Sequence, residues 1–170
     1  LSNFDTAKVT DMEVMFAHCF ALTNLDVSGF NTANVETFNG MFERCEALET
    51  VDVSGFDTAK AWDMSYMFHL CRSLKELDVS GFQTSNAEVM DGMFSHCYAL
   101  TSLDVSGFDT ANVESMNGMF SYSNKLNYVD VSGWNTAKVT DMDSIFSGCT
   151  LLRRPDISGW KIPEDADLGL

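Results

Sequence analysis

The sequence predicts an α/β fold in which 26-residue repeats stack into a solenoid, each repeat made of a short strand and a short helix. The first observation is the phrase Asp-Val/Ile-Ser-Gly-Phe/Trp, whose copies recur every 26 residues without insertion. With the residue before Asp counted, they begin at Leu25, Val51, Leu77, Leu103, Val129 and Pro155. The second observation is that apolar residues are two positions apart at the start of each copy and mostly three positions apart in its second half. Because one such unit cannot bury a core alone, we expect about six repeats to stack over residues 1–160, with 161–170 as a C-terminal cap or linker.

The strand is predicted at the start of each repeat, with Leu25 taken as position 1. Positions 1 and 3 are apolar and alternate with Asp and Ser, as in a short strand with one buried face. Position 5 is Gly in six copies and Asn3 in the first, which predicts a left-handed backbone there. Thr at position 8 is interpreted as a turn or cap hydrogen-bonding residue, with a water-ordering Thr face as the alternative.

The helix is predicted in the second half of each repeat. Apolar residues at positions 11, 14, 17, 18, 21 and 24 suit a short helix or 3₁₀ turns. Thr10 with Glu13, and Thr140 with Asp143, have the spacing of a capping box. Position 18 is always Phe and position 17 is Met until Ile145, so we expect internal columns of rings and thioethers.

The charge and composition exclude several function classes. The 170 residues carry 25 acidic and 10 basic side chains, a net charge of −15, so nucleic acid and anionic membrane surfaces are poor partners. No apolar run reaches the roughly 20 residues of a membrane span, so no membrane insertion is expected. An enzyme places unlike groups once, whereas this chain repeats like groups, so we expect neither catalysis nor a cofactor.

Two repeated columns carry side chains that could do chemistry. Cys occupies position 21 five times, with Ser123 in the remaining copy. We interpret the cysteines as buried free thiols, with disulfides or metal binding as alternatives. Asp occupies position 2 of every strand and faces outward. Hydrogen bonding to the backbone or to Ser is the first interpretation, and Ca²⁺ bridging or docking of a cationic partner are the alternatives.

Recognition is predicted at positions that differ between repeats, with neutral variation of a solvated surface as the alternative. Position 26 comes first because it flanks the exposed strand face. Positions 16, 20 and 22 also vary and include several aromatic residues, and the three histidines are taken as surface residues. The candidate partner-binding residues are Asn24, Thr50, Glu76, Ser102, Tyr128 and Arg154 at position 26, and Asp26, Asp52, Asp78, Asp104 and Asp130 at position 2.

The repeat resembles a known family. Residues 93–100, Met-Phe-Ser-His-Cys-Tyr-Ala-Leu, fit its M-F-x-x-C-x-x-L pattern. From Leu1 to Trp160 the chain resembles the 26-residue-repeat surface proteins of bacteria, which are relatives of the BspA-like leucine-rich repeat proteins. The resemblance implies a right-handed leucine-rich-repeat-like solenoid that is secreted or displayed at the cell surface. It implies non-catalytic adhesion to an extracellular or host-surface protein or glycan. A structural spacer that presents another domain, in one version stabilised by Ca²⁺, is the alternative.

Overall fold

The computed structural model describes residues 4–170, which form a stack of parallel repeats. Within these residues, the strands are limited to β1 (Asn24–Leu25) and β2 (Thr50–Val51), which pair in parallel. Successive repeats are otherwise joined by isolated parallel bridges between residues 26 apart, such as Ser102 with Tyr128. The predicted strand is therefore formed in only two of the repeats.

The predicted α/β class, with a short helix in each repeat, is wrong, because residues 4–170 contain no helix. Positions 13–20 instead form consecutive turns whose amides bond alternately between and within repeats. The Gly92 amide donates to the Asn117 carbonyl of the next repeat at 2.8 Å. The Ser95 amide donates to the Gly92 carbonyl of its own repeat at 3.0 Å. With every second amide committed to a neighbouring repeat, the i to i−4 bonds of an α-helix cannot form. We call positions 13–20 the turn ladder.

Two left-handed residues in each repeat shape the turn ladder. Their φ angles lie between 48° and 73°. They are Val14, Gly40, Tyr66, Gly92, Gly118 and Ser144 at position 16, and His18, Arg44, Leu70, His96, Tyr122 and Gly148 at position 20. The left-handed backbone predicted at position 5 is wrong, since φ lies outside that region at Gly55, Gly81, Gly107, Gly133 and Gly159. Asn3 lies outside the described residues.

The core consists of like residues stacked on like. Phe42, Phe68, Phe94 and Phe120 at position 18 are fully buried, and neighbouring rings in this column lie 5.4–5.9 Å apart. The methionines beside them at position 17, Met41, Met67, Met93 and Met119, are also fully buried. Nearly parallel rings at this spacing match the offset stacking that aromatic pairs prefer. The predicted columns of rings and thioethers are confirmed.

The Thr column joins repeats through side chains rather than through a strand. Thr84 is buried, and its hydroxyl donates to the Asp109 carbonyl at 3.0 Å and accepts the Asp109 amide at 2.8 Å. The same pair of bonds is made by Thr6, Thr32, Thr58, Thr110 and Thr136. The hydrogen-bonding interpretation is confirmed, although the bonds run to the next repeat. Because the column is buried, it does not present a face that orders surface water.

The C-terminal segment, 161–170, lies against the last turn ladder. The Phe146 amide donates to the Leu168 carbonyl at 2.9 Å, and the Ser144 amide donates to the Asp167 carbonyl at 2.6 Å. Leu168 itself is buried against the core. In the preceding repeats the equivalent amides bond to the repeat that follows, so this segment occupies donors that would otherwise need another repeat.

Candidate partner-binding surfaces

A groove of about 650 Å³ crosses the strand side of consecutive repeats between Lys75 and Asp130. Leu77 and Leu103 contribute apolar surface, and Tyr128 stands at one end with 54% of its surface exposed. Six of the predicted partner-binding residues line this groove: Glu76, Asp78, Ser102, Asp104, Tyr128 and Asp130. The other five are exposed and lie outside the groove lining: Asn24, Thr50, Arg154, Asp26 and Asp52.

Each carboxylate of the Asp column is held by the serine two residues later. Asp104 Oδ1 accepts the Ser106 amide at 3.0 Å and the Ser106 hydroxyl at 2.7 Å. The same two bonds recur at Asp26, Asp52, Asp78 and Asp130. The interpretation that these residues hydrogen-bond to Ser is confirmed. Both bonds use Oδ1, so Oδ2 can accept a bond from a partner.

At five of these positions the hydrogen bonds favour the ionised carboxylate. The serine hydroxyl first, and the serine amide second, lower the pKa of Asp26, Asp52, Asp78, Asp104 and Asp156. The one basic residue that lines the groove, Lys75, is paired with Glu49 at 2.6 Å. The groove therefore offers fixed negative charge, an apolar base and an exposed phenol.

A second surface lies on the turn ladder and its C-terminal flank, and it consists of five rings in contact. We call it the aromatic strip: Tyr66, His69, His96, Tyr98 and Tyr122. The His69 ring lies 5.5 Å from Tyr66 and 5.4 Å from His96, centroid to centroid. The His96 ring lies 4.8 Å from Tyr122 and 5.7 Å from Tyr98. Tyr66 and Tyr122 are 42% and 52% exposed.

The two exposed tyrosines rest on glycines of the following repeat. A Cβ built on Gly92 would lie 2.7 Å from the Tyr66 ring, and one built on Gly148 would lie 2.6 Å from the Tyr122 ring. Any other residue at either glycine would collide with the ring. The glycines therefore allow both rings to lie directly on the backbone.

Three residues of the aromatic strip have a left-handed backbone. Tyr66, His96 and Tyr122 have φ angles of 57°, 59° and 59°. Gly118 and Gly148 meet the same backbone requirement at positions 16 and 20 without a steric penalty. For L-residues such as Tyr and His this conformation costs roughly 1–2 kcal/mol. The strip thus combines exposed rings with local strain, a combination that occurs at functional surfaces.

The electrostatic surroundings of Tyr66 are acidic. Burial raises the pKa of its phenol, and the nearby carboxylates of Asp91, Glu43, Asp63 and Asp141 raise it further. At the other end of the strip, the Arg72 guanidinium lies 5.6 Å from the centre of the Tyr98 ring, and Arg72 Nε lies 3.5 Å from Glu46.

The expectation that all three histidines are surface residues is wrong for His69. Its ring is half-buried, and its Nδ1 is buried without a hydrogen-bond partner in residues 4–170. Burial lowers the pKa of His69 to about 4, and the neighbouring His96 and Arg44 act in the same direction. The ring is therefore neutral at physiological pH and packs as part of the strip.

The cysteines are free, as predicted, and the thiols of Cys45, Cys71, Cys97 and Cys149 each donate to a backbone carbonyl of the preceding repeat. Cys97 Sγ donates to the Phe68 carbonyl of the preceding repeat at 3.2 Å, and Ser123 Oγ makes the equivalent bond to Phe94 at 2.7 Å. Burial raises the pKa of Cys97 to about 12, which suppresses the reactive thiolate. Cys45, Cys71 and Cys97 are buried, whereas Cys19 and Cys149 are half-buried.

Neither a metal-binding cluster nor a membrane-spanning helix is present in the part of the chain that the structure describes. Residues 4–170 contain no group of three or more His, Cys, Asp or Glu side chains placed to hold a metal ion. Over the same residues, no helix has the length and apolar character needed to cross a membrane.

The structure is similar to the crystal structure of a leucine-rich repeat protein of T. pallidum, TpLRR. The two share 18% sequence identity with a TM-score of 0.53, over 98% of this chain and 84% of that chain. At this identity the likeness shows the fold alone, and it confirms the leucine-rich-repeat character implied by the sequence. The closer relation to BspA-like proteins stays a prediction.

Sequence comparison identifies the family. No curated protein matches the chain significantly. The family DUF285, described as "Mycoplasma protein of unknown function", matches residues 1–103 and again residues 72–168. Two overlapping matches that together span almost all of the chain are expected when a family is itself built of repeats. The chain therefore belongs to the DUF285 family.

Proposed function

We propose that the chain is a non-catalytic binding module that holds a cationic segment of a partner protein in the strand-side groove. The observation that carries this proposal is the meeting of two kinds of residue in one groove. Position 26 supplies side chains that differ between repeats, Glu76, Ser102 and Tyr128. Position 2 supplies the constant carboxylates of Asp78, Asp104 and Asp130. Variation on a fixed charged base is the arrangement expected when one scaffold serves different partners.

Charge decides the chemical class of partner. The chain carries a net charge of −15, and the groove carboxylates are fixed by serine rather than by cations. A partner with Lys or Arg side chains would be attracted from a distance and could bond to the Oδ2 atoms at contact. Tyr128 would add the exposed aromatic contact typical of strong interface residues.

We also propose that this interaction takes place outside the cell. Display outside the cell and adhesion to a host-surface protein or glycan are supported by the resemblance to bacterial surface repeats. The stack suits display, because each repeat is held to its neighbours by backbone bonds, by Thr side chains and by ring stacking.

A structural spacer is the second candidate function. The same continuous bonding between repeats favours it, since it makes the chain a rigid connection. In the Ca²⁺-stabilised version of this proposal, the melting temperature would fall in EDTA and recover with Ca²⁺. Binding measurements distinguish a spacer from a binding module.

The experiment compares binding to immobilised host matrix glycoproteins and to intact cells. The groove variant carries Tyr128→Ala, Asp78→Asn and Asp104→Asn. The control variant carries Asp26→Asn and Asp156→Asn, which change the same column outside the groove and keep an oxygen for serine. We expect the groove variant to lose about tenfold or more in affinity and the control to stay within about twofold. Equal losses would indicate non-specific charge attraction, and an absence of binding by the folded wild type would favour the spacer.

A further inference from the structure

We infer that the aromatic strip is a second recognition surface, which binds a protein segment through an Arg or Lys side chain placed over Tyr66. The strip is formed by positions 16–22 of successive repeats, whereas the groove is formed by positions 25, 26 and 1–4. It therefore goes beyond the proposed function of the groove. The two surfaces can be tested independently.

Backbone strain is the first argument. Tyr66, His96 and Tyr122 occupy left-handed positions that Gly118 and Gly148 occupy without strain elsewhere in the stack. Folding alone would be served at least as well by glycine at these positions. Because Gly, Ser, Val, Arg and Leu also occupy positions 16 and 20, the fold does not require a ring at either position, and the rings indicate a role outside folding.

Preorganisation is the second argument. The Tyr66 and Tyr122 rings lie on Gly92 and Gly148, and the five rings brace one another at 4.8–5.7 Å. Both glycines belong to the turn ladder, whose backbone is bonded to the neighbouring repeats. A rigid aromatic surface loses little conformational entropy on binding.

Carboxylates act on Tyr66, whereas Arg44 acts on His69 and Arg72 lies over Tyr98, so charge favours a cationic partner only at the Tyr66 end of the strip. The Tyr66 amide donates to the Asp91 carbonyl at 2.7 Å, Asp63 lies three residues before Tyr66 in the chain, and neither Asp is in an ion pair within residues 4–170. They are held by neutral donors: Asp63 accepts the Ser65 amide at 2.8 Å, and Asp91 accepts the Asn117 amide at 2.8 Å. A cation placed over the exposed part of the Tyr66 ring would also be attracted by both carboxylates, a combination that favours cation–π binding. An anionic partner would be repelled by both carboxylates, and an apolar partner would gain nothing from them.

The test measures fluorescence anisotropy of a labelled nonapeptide of alternating Arg and Gly. The ring variant carries Tyr66→Gly and Tyr122→Gly, and a charge variant carries Asp63→Asn and Asp91→Asn with the rings intact. Ser144→Gly is the matched control, since it changes a left-handed residue at the same position as Tyr66 but outside the strip. The groove variant serves as a second control. Urea unfolding establishes that every variant is folded.

We expect the ring and charge variants each to lose about tenfold or more in affinity, while Ser144→Gly binds as the wild type does. Binding should also weaken as salt is raised, because exposed charges are screened. Loss in the groove variant alone would overturn the strip inference and leave the groove proposal standing. Equal binding of a peptide with Gln in place of Arg would overturn the cationic partner. Failure of the peptide to bind, or strip-dependent binding of a neutral glycan instead, would also overturn the inference.

Discussion

Replacing Thr84 by Val should weaken the stack at one defined junction between repeats. Valine has nearly the shape of threonine, so the change removes one hydroxyl from a side chain that is only 2% exposed. Two bonds to Asp109 disappear, each with a net value of roughly 0.5–1.5 kcal/mol. Asp109 is itself exposed, so water satisfies part of what its backbone loses. We therefore expect the free energy of unfolding to fall by about 2 kcal/mol, which is the sum of two bonds of average value.

The assay combines urea unfolding with hydrogen exchange of the Asp109 amide. Exchange is needed because a repeat array can unfold in parts, and a local readout does not depend on two-state behaviour. Thr101→Val is the matched control, since Thr101 is exposed and its change should cost less than about 0.5 kcal/mol. Thr84→Ser keeps the hydroxyl and should retain most of the protection of the Asp109 amide. If Thr84→Val matches the Thr101→Val control in both measurements, the Thr column does not join the repeats as described.

Three further predictions concern the core and its titratable groups. Phe94→Ala removes the middle of the ring column and should cost about 3–5 kcal/mol in urea unfolding. Phe4→Ala, at an exposed Phe outside that column, should cost far less, and equal losses would contradict the role of stacking. Cys97 should react with a disulfide reagent at pH 8 only when the chain unfolds, because burial raises its pKa to about 12, and rapid reaction in the folded protein would contradict that burial. His69 binds a proton more weakly when folded, with a pKa of about 4, than when unfolded at its ordinary 6.5. Lowering the pH from about 6.5 towards 4 should therefore reduce stability, and His69→Phe should show a smaller reduction; an unchanged slope would remove His69 as the cause.

The sequence was sufficient to predict the stack and its buried columns. A constant 26-residue interval means that each residue meets its own equivalent in the next repeat, so Phe at position 18 had to form a column. The same logic predicted free thiols, because Ser123 replaces Cys without disturbing the period. These predictions require only that equivalent residues of successive repeats stack on one another, and they hold whatever the local backbone conformation is.

The helix could not be distinguished from the turn ladder by apolar spacing. Consecutive turns bury every third or fourth residue, as a short helix does. The two differ in the carbonyl to which each amide bonds. The Gly92 amide donates to a carbonyl 25 residues away, and no local sequence pattern reveals that partner. A signal was nevertheless present: Gly40, Gly92 and Gly118 recur at position 16, inside the predicted helix, where glycine is unfavourable. That recurrence indicated the left-handed position that was wrongly assigned to position 5.

The same bonding explains why the sequence predicted residues of the strand-side groove but did not bring the residues of the aromatic strip together. Position 26 and the Asp column belong to one short strand side, so adjacency in sequence was enough to place Glu76 beside Asp78. The aromatic strip joins positions 16, 19, 20 and 22 of three repeats, and only the turn ladder brings Tyr66, His69 and Tyr122 into one surface. In a stack held together by repeated columns, an exposed position can vary at little cost to folding. Positions 16 and 20 also hold Gly, Ser, Val, Arg and Leu, so the left-handed backbone does not require a ring there, and the clustering of rings over three successive repeats is the feature that suggests a function.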